Sequence, residues 1–403
     1  IFIIFLLLGN LVGQNKKLYL NIWFQNSLEQ LKSTSLGFFL LKVKWKIEGS
    51  DIDLFFNKED VFKISKNLQN FNIGERLVFS IDYVEPFLIY YDKDKKIKKQ
   101  KITESTSNAG VIYSDKKNNF VLYNSQTGNL LKRIKIDKDE KITDKWELKG
   151  KYFFHHWGDF FENKIYLPGR RYIEIKLLNE ENFFKYKNCQ NKYVNQDVIY
   201  IIDFETGKVL EEIDIFNILL NSKESKKFQD CVNPIHLNDI EIIKKNSQLQ
   251  YFDNVNIGDF LISLRNINTI LLIDHKTKKI KWSYHNQLIM QHSPQITDRG
   301  TLLIFNNQGS KEIKGQSRID EVDLKTKKIV GIYDGVKNNF FSQKRGRIQY
   351  LNNRIFIQES QKSNMFELIC KNKYISDDCE RRDIVKINSE IKDLFQSFAI
   401  DFF

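Results

Sequence analysis

The sequence predicts an all-β fold, a six-bladed β-propeller, on three observations. Short apolar runs recur from about residue 76 onward, each bounded by Asp, Asn, Gly or Lys turns. The phrase Ile/Val-Asp-x-x-Thr-x-Lys returns at Asp203, Asp274 and Asp323, each time followed by another apolar run. The units repeat about every 40 to 60 residues, the spacing of four-stranded blades that bury their faces by stacking on neighbours.

The units follow in order. Val111-Ile112-Tyr113 and Phe120-Val121-Leu122-Tyr123 flank a polar turn, and a third run extends from Leu130 to Ile136. The next unit holds the runs Val198 to Phe204 and Val209 to Ile215. Another holds Asp259 to Arg265, Thr269 to Asp274 and Ile280 to Tyr284. Thr301 to Asn306, Arg318 to Leu324 and Ile329 to Tyr333 repeat the pattern. Arg354 to Glu359, Met365 to Cys370 and Ile384 to Ile387 begin a fifth unit, and Leu77 to Ile102 supplies a sixth.

The apolar start, Ile1 to Val12, is followed by Gln14-Asn15-Lys16-Lys17. It is shorter than the roughly 20 residues that span a bilayer. Residues 1–15 therefore read as the tail of a signal peptide or membrane anchor. Residues 16–75 read as a stalk or lead-in, with a helix expected near Lys58 to Leu68, and residues 76–403 as the propeller domain. This organisation predicts export to the periplasm or cell surface, with membrane attachment through the N-terminal segment. The four cysteines suit an oxidising compartment. Cys370 and Cys379 flank a polar run, Cys189 and Cys231 can also pair, and four cysteines allow three connectivities.

Composition excludes some classes. Only 4 prolines and 18 glycines occur in 403 residues, which argues against a disordered linker protein. The net charge of +12 suits anionic partners. The lysines, however, are scattered through turns such as Lys278-Lys279 and Lys327-Lys328. With no basic helix and no basic strand interleaved with aromatics, nucleic acid is not expected as a partner.

The chemistry lies in the histidines. Of the 6 present, three open blades at equivalent places. The first place is His155-His156-Trp157-Gly158-Asp159, followed by Gly169-Arg170-Arg171. The second is His236-Leu237-Asn238-Asp239, followed by Arg265-Asn266. The third is Gln291-His292-Ser293-Pro294, followed by Asn306-Asn307. The start of an innermost strand lines a propeller's channel, so these positions are expected to share one pocket. His275 and His285 lie in turn and outer-strand contexts and are expected to be structural.

These segments resemble the arylsulfate sulfotransferases, exported six-bladed propeller enzymes that use no nucleotide sulfate donor. The resemblance covers roughly residues 105 to 370 and is most specific over residues 230 to 330. Residues 1 to 100 contribute nothing to it. It implies that His292 is the nucleophile, that His236 and Asn238 bind the sulfate, and that Arg265 neutralises the sulfuryl oxygens. It also implies that His156 or its neighbour His155 handles the phenol oxygen, and that Ser342 and Lys344 reach the pocket from a late blade. The implied substrates are a small aryl sulfate and a phenolic acceptor, with no cofactor and no metal.

The residue types fit that chemistry on their own. Neutral imidazole is a good nucleophile near pH 7, because its ordinary pKa is about 6.5. Attack on sulfur would give a covalent intermediate, and the developing charge needs preplaced cations and donors. Three histidines could also bind zinc, but a nearby arginine opposes a dication. A different class stays open at this stage: a non-catalytic, membrane-tethered propeller that binds an anionic or glycosidic ligand.

Overall fold

The computed structural model describes strands between Phe62 and Phe402. Side chains are described over residues 152–178, 192–309, 316–351 and 353–384, apart from 361 and 363, and at a few positions between 131 and 189. The N-terminal segment, residues 1–15, and most of the lead-in lie outside the described residues.

The chain is all-β. Strand β1 (Phe62–Ile64) is followed by a meander of β2 (Arg76–Ile81), β3 (Phe87–Tyr91) and β4 (Ile97–Lys101). The second sheet holds β5 (Ala109–Asp115), β6 (Phe120–Ser125), β7 (Leu130–Ile136) and β8 (Ile142–Lys149). The third holds β9 (Asp159–Phe161), β10 (Lys164–Glu174), β11 (Tyr193–Asp203) and β12 (Val209–Asp214). The fourth holds β13 (Leu237–Ile242), β14 (Phe260–Leu264), β15 (Thr269–Ile273) and β16 (Ile280–Tyr284). The fifth holds β17 (His292–Ile296), β18 (Thr301–Asn306), β19 (Arg318–Asp323) and β20 (Ile329–Asp334). The sixth holds β21 (Arg347–Leu351), β22 (Arg354–Glu359), β23 (Asn364–Ile369) and β24 (Glu380–Ile387), and β25 (Phe398–Phe402) ends the chain.

Every sheet is an antiparallel meander, and the two ends of the chain are exchanged. β25 pairs with β2 in the first sheet, and β1 pairs with β24 in the sixth. Residues Phe62 to Ile64 are therefore a strand, where a helix was expected near Lys58 to Leu68. The ladder to β24 decides their conformation over local propensity.

The recurring Asp-x-x-Thr phrase is one turn made three times. Asp203, Asp274 and Asp323 accept the backbone N–H of Thr206, Thr277 and Thr326 at 2.7, 2.6 and 2.7 Å. The next residue, Gly207, Lys278 or Lys327, has a φ of 72°, 60° or 57°. The carboxylate thus holds a left-handed position that two of the three lysine-bearing turns fill without glycine. The run after the first turn ends as strand at Asp214. That residue caps helix α1 (Ile215–Leu220) by accepting from the Asn217 N–H at 2.9 Å.

The core lies between sheets. Alternate residues of one strand point to opposite neighbours, so Leu261 joins the apolar cluster shared with the fifth sheet while Phe260 and Ile262 join that shared with the third. Similar clusters fill the second-to-third and fifth-to-sixth interfaces. The outer strands are bolted by tryptophans: Trp146 Nε1 donates to Phe204 O at 2.8 Å, and Trp282 Nε1 to Leu324 O at 3.2 Å. Each acceptor directly follows the turn aspartate of the next sheet. Two disulfides pair Cys189 with Cys231 and Cys370 with Cys379. The first ties the connection between β10 and β11 to the segment that leads into β13.

Trp282→Phe keeps an aromatic ring against Phe252 and Tyr284 but leaves the Leu324 carbonyl without its donor. It should cost about 1 to 2 kcal/mol, read as a lower urea midpoint at unchanged slope.

Candidate anion-binding active site

Four imidazoles converge where the first strands of the third, fourth and fifth sheets begin. His155 and His156 lie just ahead of β9, His236 directly precedes β13, and His292 opens β17. Ring centroids of His156 and His236 are 4.9 Å apart, those of His156 and His292 6.1 Å, and those of His155 and His156 4.9 Å. The backbone explains the convergence. His156, His236 and Ser293 have φ of 60°, 54° and 49°, values non-glycine residues seldom adopt. The ladders slip between Leu237 and Asp239 and between His292 and Gln295. Bulges of this kind re-aim a side chain at a strand end.

Hydrogen bonds fix each ring's tautomer. Asn307 donates from Nδ2 to the carbonyls of Ser342, at 2.6 Å, and Arg345, so its Oδ1 must accept. His292 Nδ1 lies 2.7 Å from that Oδ1 and 3.0 Å from Met290 O. Two acceptors at Nδ1 place the hydrogen there and the lone pair on Nε2. Nε2 is buried, with no hydrogen-bond partner among the described residues. At His236 the logic reverses. Asn233 Nδ2, at 2.6 Å, and Arg170 Nη2, at 3.4 Å, both face Nδ1. Both are donors, so His236 carries its hydrogen on Nε2, which lies 3.4 Å from His156 Nε2.

Positive charge surrounds these rings. Burial first, then Arg265 and Arg170, holds His236 well below the usual imidazole range. Burial and the neighbouring rings and Arg265 do the same to His156. Burial, with Arg265 and Arg345 nearby, brings His292 down to about 4 against the pull of Asn307. Burial and Arg170 push Arg265 itself down to about 10. The result is a set of neutral imidazoles beside guanidinium groups, a pocket preset for an anion.

The structure places the sequence-predicted residues unequally. His156, His236 and His292 form one cluster, and Arg265, on the 3₁₀ turn Arg265–Ile267, is close enough to act on all three. His155 Nε2 is turned toward Asp197, 3.5 Å away. Asn238 is buried and donates from Nδ2 to Gln291 O at 2.8 Å, tying β13 to the residue before His292. Ser342 is buried and its Oγ donates to Lys344 O at 2.8 Å. Its contribution to the site is the carbonyl that holds Asn307. The Lys344 side chain is exposed. Sequence reasoning did not single out Asn307, Asn233, Arg170, Asp197 or Arg345. Gly169 precedes Arg170 for a steric reason: a Cβ there would lie 2.1 Å from the Tyr200 ring and 2.9 Å from Phe153 O, so only glycine lets the strand bearing Arg170 pass.

Among the described residues, one cluster has the make-up of a cation site: Asp259, Asp274 and His275. Lys281 Nζ already bridges its two carboxylates at 2.8 and 2.7 Å.

Antiparallel sheets packed face to face, with four histidines clustered at their strand starts, define an all-β, propeller-like protein. A family model described as Arylsulfotransferase (ASST) matches residues 103–378, more than half of the chain, and the chain belongs to that family. No curated protein matches it. Among solved structures, it is similar to a protein of unknown function from Bacteroides caccae at 12% identity, covering 81% of this chain and 98% of that one, with a TM-score of 0.46. Apo AztD from Citrobacter koseri is 9% identical over 81% of this chain and 98% of its own, at 0.42. A catalytically inactive virginiamycin B lyase from Staphylococcus aureus with quinupristin is 12% identical over 80% and 89%, also at 0.42. At such scores these likenesses say nothing about what the chain does.

The low value at His292 has a sign. The folded protein keeps this ring neutral down to about pH 4, whereas the unfolded chain takes up a proton near 6.5. Its contribution to stability is full above the unfolded value and is lost as pH falls toward the folded one. Denaturant unfolding of the wild type should therefore show stability falling from about pH 6.5 to about pH 4.5, and less steeply in His292→Gln. Equal slopes would show that His292 titrates normally.

Proposed function

We propose that this protein moves the sulfuryl group of an aryl sulfate to a phenolic acceptor through a sulfohistidine at His292, without a nucleotide sulfate donor. One observation carries the reading: a buried imidazole nitrogen with a free lone pair, its ring fixed by Asn307 and acted on by Arg265, in a cluster where His156 and His236 bring Arg170 close. Family membership supports sulfuryl transfer as the reaction class.

His292 Nε2 attacks sulfur and forms the nitrogen–sulfur bond, while the bond from sulfur to the aryl oxygen breaks. The N-sulfated ring is cationic and keeps its Nδ1 hydrogen on Asn307 Oδ1, which stabilises it. Arg265, Arg170 and His236 hold the sulfuryl oxygens, as preorganised donors do in related transfers. The departing phenolate takes a proton from His156. An incoming phenol returns a proton to His156 and attacks sulfur, and His292 leaves as the neutral ring. Asn238 acts by setting the Gln291–His292 backbone.

The same reading takes the sheets as six blades of a closed propeller. Consecutive first strands pack together from β13 to β17 to β21, β25 touches β5, and β25 also contacts the 3₁₀ turn Ser360–Lys362 of the sixth sheet. It also takes the chain as exported and tethered through its apolar N-terminal segment. Recovery of the protein in the soluble cytoplasmic fraction would overturn that part.

His292→Asn should abolish turnover and the sulfuryl adduct seen by intact mass after mixing with 4-nitrophenyl sulfate, while the thermal midpoint stays close to wild type. Arg265→Leu should lower the rate by roughly 10² to 10³, the effect of one preorganised donor. Varying donor and acceptor together should give parallel double-reciprocal lines. Intersecting lines, or near-normal turnover in His292→Asn, would overturn the covalent route.

A further inference from the structure

Behind the three rings that face the pocket stands a buried carboxylate with no place in the mechanism so far. Asp197, in the middle of β11, is fully buried. Its Oδ1 lies 3.5 Å from His155 Nε2 and 3.5 Å from Arg170 Nε, and its Oδ2 lies 3.3 Å from the Leu237 N–H. His155 Nδ1 lies 2.7 Å from His156 Nδ1, and His156 Nε2 lies 3.4 Å from His236 Nε2.

The tautomers along this line are not free. Asp197 is an acceptor when ionised, so His155 presents its Nε2 hydrogen to it and keeps the lone pair on Nδ1. His156 must then donate from Nδ1, which leaves its lone pair on Nε2. That is also what the His236 Nε2–H requires, since a donor cannot face a donor. The 2.7 Å contact between His155 and His156 and the 3.4 Å contact between His156 and His236 fit one assignment, which the 3.5 Å ion-pair distance from His155 to Asp197 favours without closing a hydrogen bond.

We propose that Asp197, His155 and His156 form a proton relay that serves the phenol oxygen, with His156 as the catalytic acid and base, His155 as the proton store, and Asp197 as the positioning anion. This rests on the sulfuryl-transfer reading above. In the charged relay, His155 holds a proton on both nitrogens beside Asp197, and His156 holds its hydrogen on Nε2, aimed at the aryl oxygen, so its contact with the His236 Nε2–H opens when the donor binds. As the aryl oxygen leaves sulfur, the His156 Nε2 hydrogen moves to it, and the His155 Nδ1 hydrogen moves to His156 Nδ1. Both rings end neutral. The acceptor phenol reverses these two transfers in the second half-reaction. One proton leaves with the first phenol and one arrives with the second, so the exchange balances.

The arrangement has a physical purpose. An imidazolium at His156 would sit against His236, His292 and Arg265, which disfavour it. Moving the charge one ring back places it beside a carboxylate and away from Arg265, although burial and Arg170, which shares Asp197 Oδ1 with His155, still hold the His155 ring below the usual imidazole range. Asp197 can take this role because, although burial works to raise its pKa, Arg170 and His155 hold its carboxyl below the usual range.

The relay predicts a dependence on the leaving group that a packing defect would not produce. Nitrophenolate leaves without much help, whereas the phenolates of phenyl and 4-methoxyphenyl sulfate need protonation. Asp197→Asn places an amide donor opposite His155 and disfavours the relay's tautomer. With 4-methoxyphenyl sulfate its single-turnover rate should fall by roughly 10² or more, and with 4-nitrophenyl sulfate by less than about 10-fold. His155→Gln still offers an oxygen to the His156 Nδ1 hydrogen but cannot store a proton, and it should show the same split. Equal losses with both donors would reduce Asp197 and His155 to structural parts and overturn the proposal. So would unchanged rates with 4-methoxyphenyl sulfate in His155→Gln. Failure of the underlying reading looks different: the wild type would then form no adduct even with 4-nitrophenyl sulfate.

Discussion

In the third to sixth sheets the first strand has one edge with no ladder partner, and the backbone groups along that edge must still be satisfied where they are buried. The protein meets this constraint with polar side chains from the adjoining sheets. Asp159 accepts the Ile242 N–H at 2.7 Å, Glu241 accepts that of Ile296 at 3.1 Å, and Asp197 accepts that of Leu237 at 3.3 Å. Ser293 Oγ both donates to Ile348 O and accepts from Ile348 N, each at 3.1 Å. These bonds run from sheet to sheet at the inner edge while the tryptophan bolts do so farther out. They hold the sheets in register where apolar packing alone is tolerant of small slides.

The site is assembled from the same bonds. Asn238 reaches across to the Gln291 carbonyl, so the residue before His292 is set by the fourth sheet as well as the fifth. Asn307, at the end of β18, is held by carbonyls from the connection that leads to the sixth sheet, and in turn holds His292. Asp197 serves two ends at once, capping Leu237 of the fourth sheet and facing His155 of the third. Stability and preorganisation are therefore not separate features here. Loosening one interface would move an imidazole as well as weaken the packing between sheets.

Much of this was legible in the sequence, for identifiable reasons. The blade-like units show because their turns need a carboxylate three residues before a threonine, and that need leaves a readable phrase. The histidines show because each stands at the start of a first strand, a position defined by its place in the repeat. Arg170 and Asn307 were visible only as strand-end polar residues. Nothing local separates Asn307 from Asn306, whose Nδ2 instead reaches Gln287 O and Asp320. Asp197 left no signal, because its partners come from other strands and other sheets. Ser342 and Lys344 lie in an aperiodic connection. There the structure uses a backbone carbonyl of Ser342 and the neighbouring Arg345, neither of which residue type alone reveals.

The electrostatics explain why a site so rich in histidine carries little charge when empty. Each ring is buried or half-buried and lies near other rings or a guanidinium, so protonation of any one is opposed by its neighbours. An entering anion reverses the balance, because its charge offsets Arg265 and Arg170 and makes a proton on the rings less unfavourable. Anion binding and proton uptake are thus coupled, each favouring the other. In the proposed transfer from a monoanionic ester whose leaving oxygen needs a proton, that coupling has the useful sign: it would favour the acid form of the proposed relay when donor is present. In the proposed transfer, departure of the phenol and a positive ring at His292 would favour the base form, which is the form an incoming phenol requires.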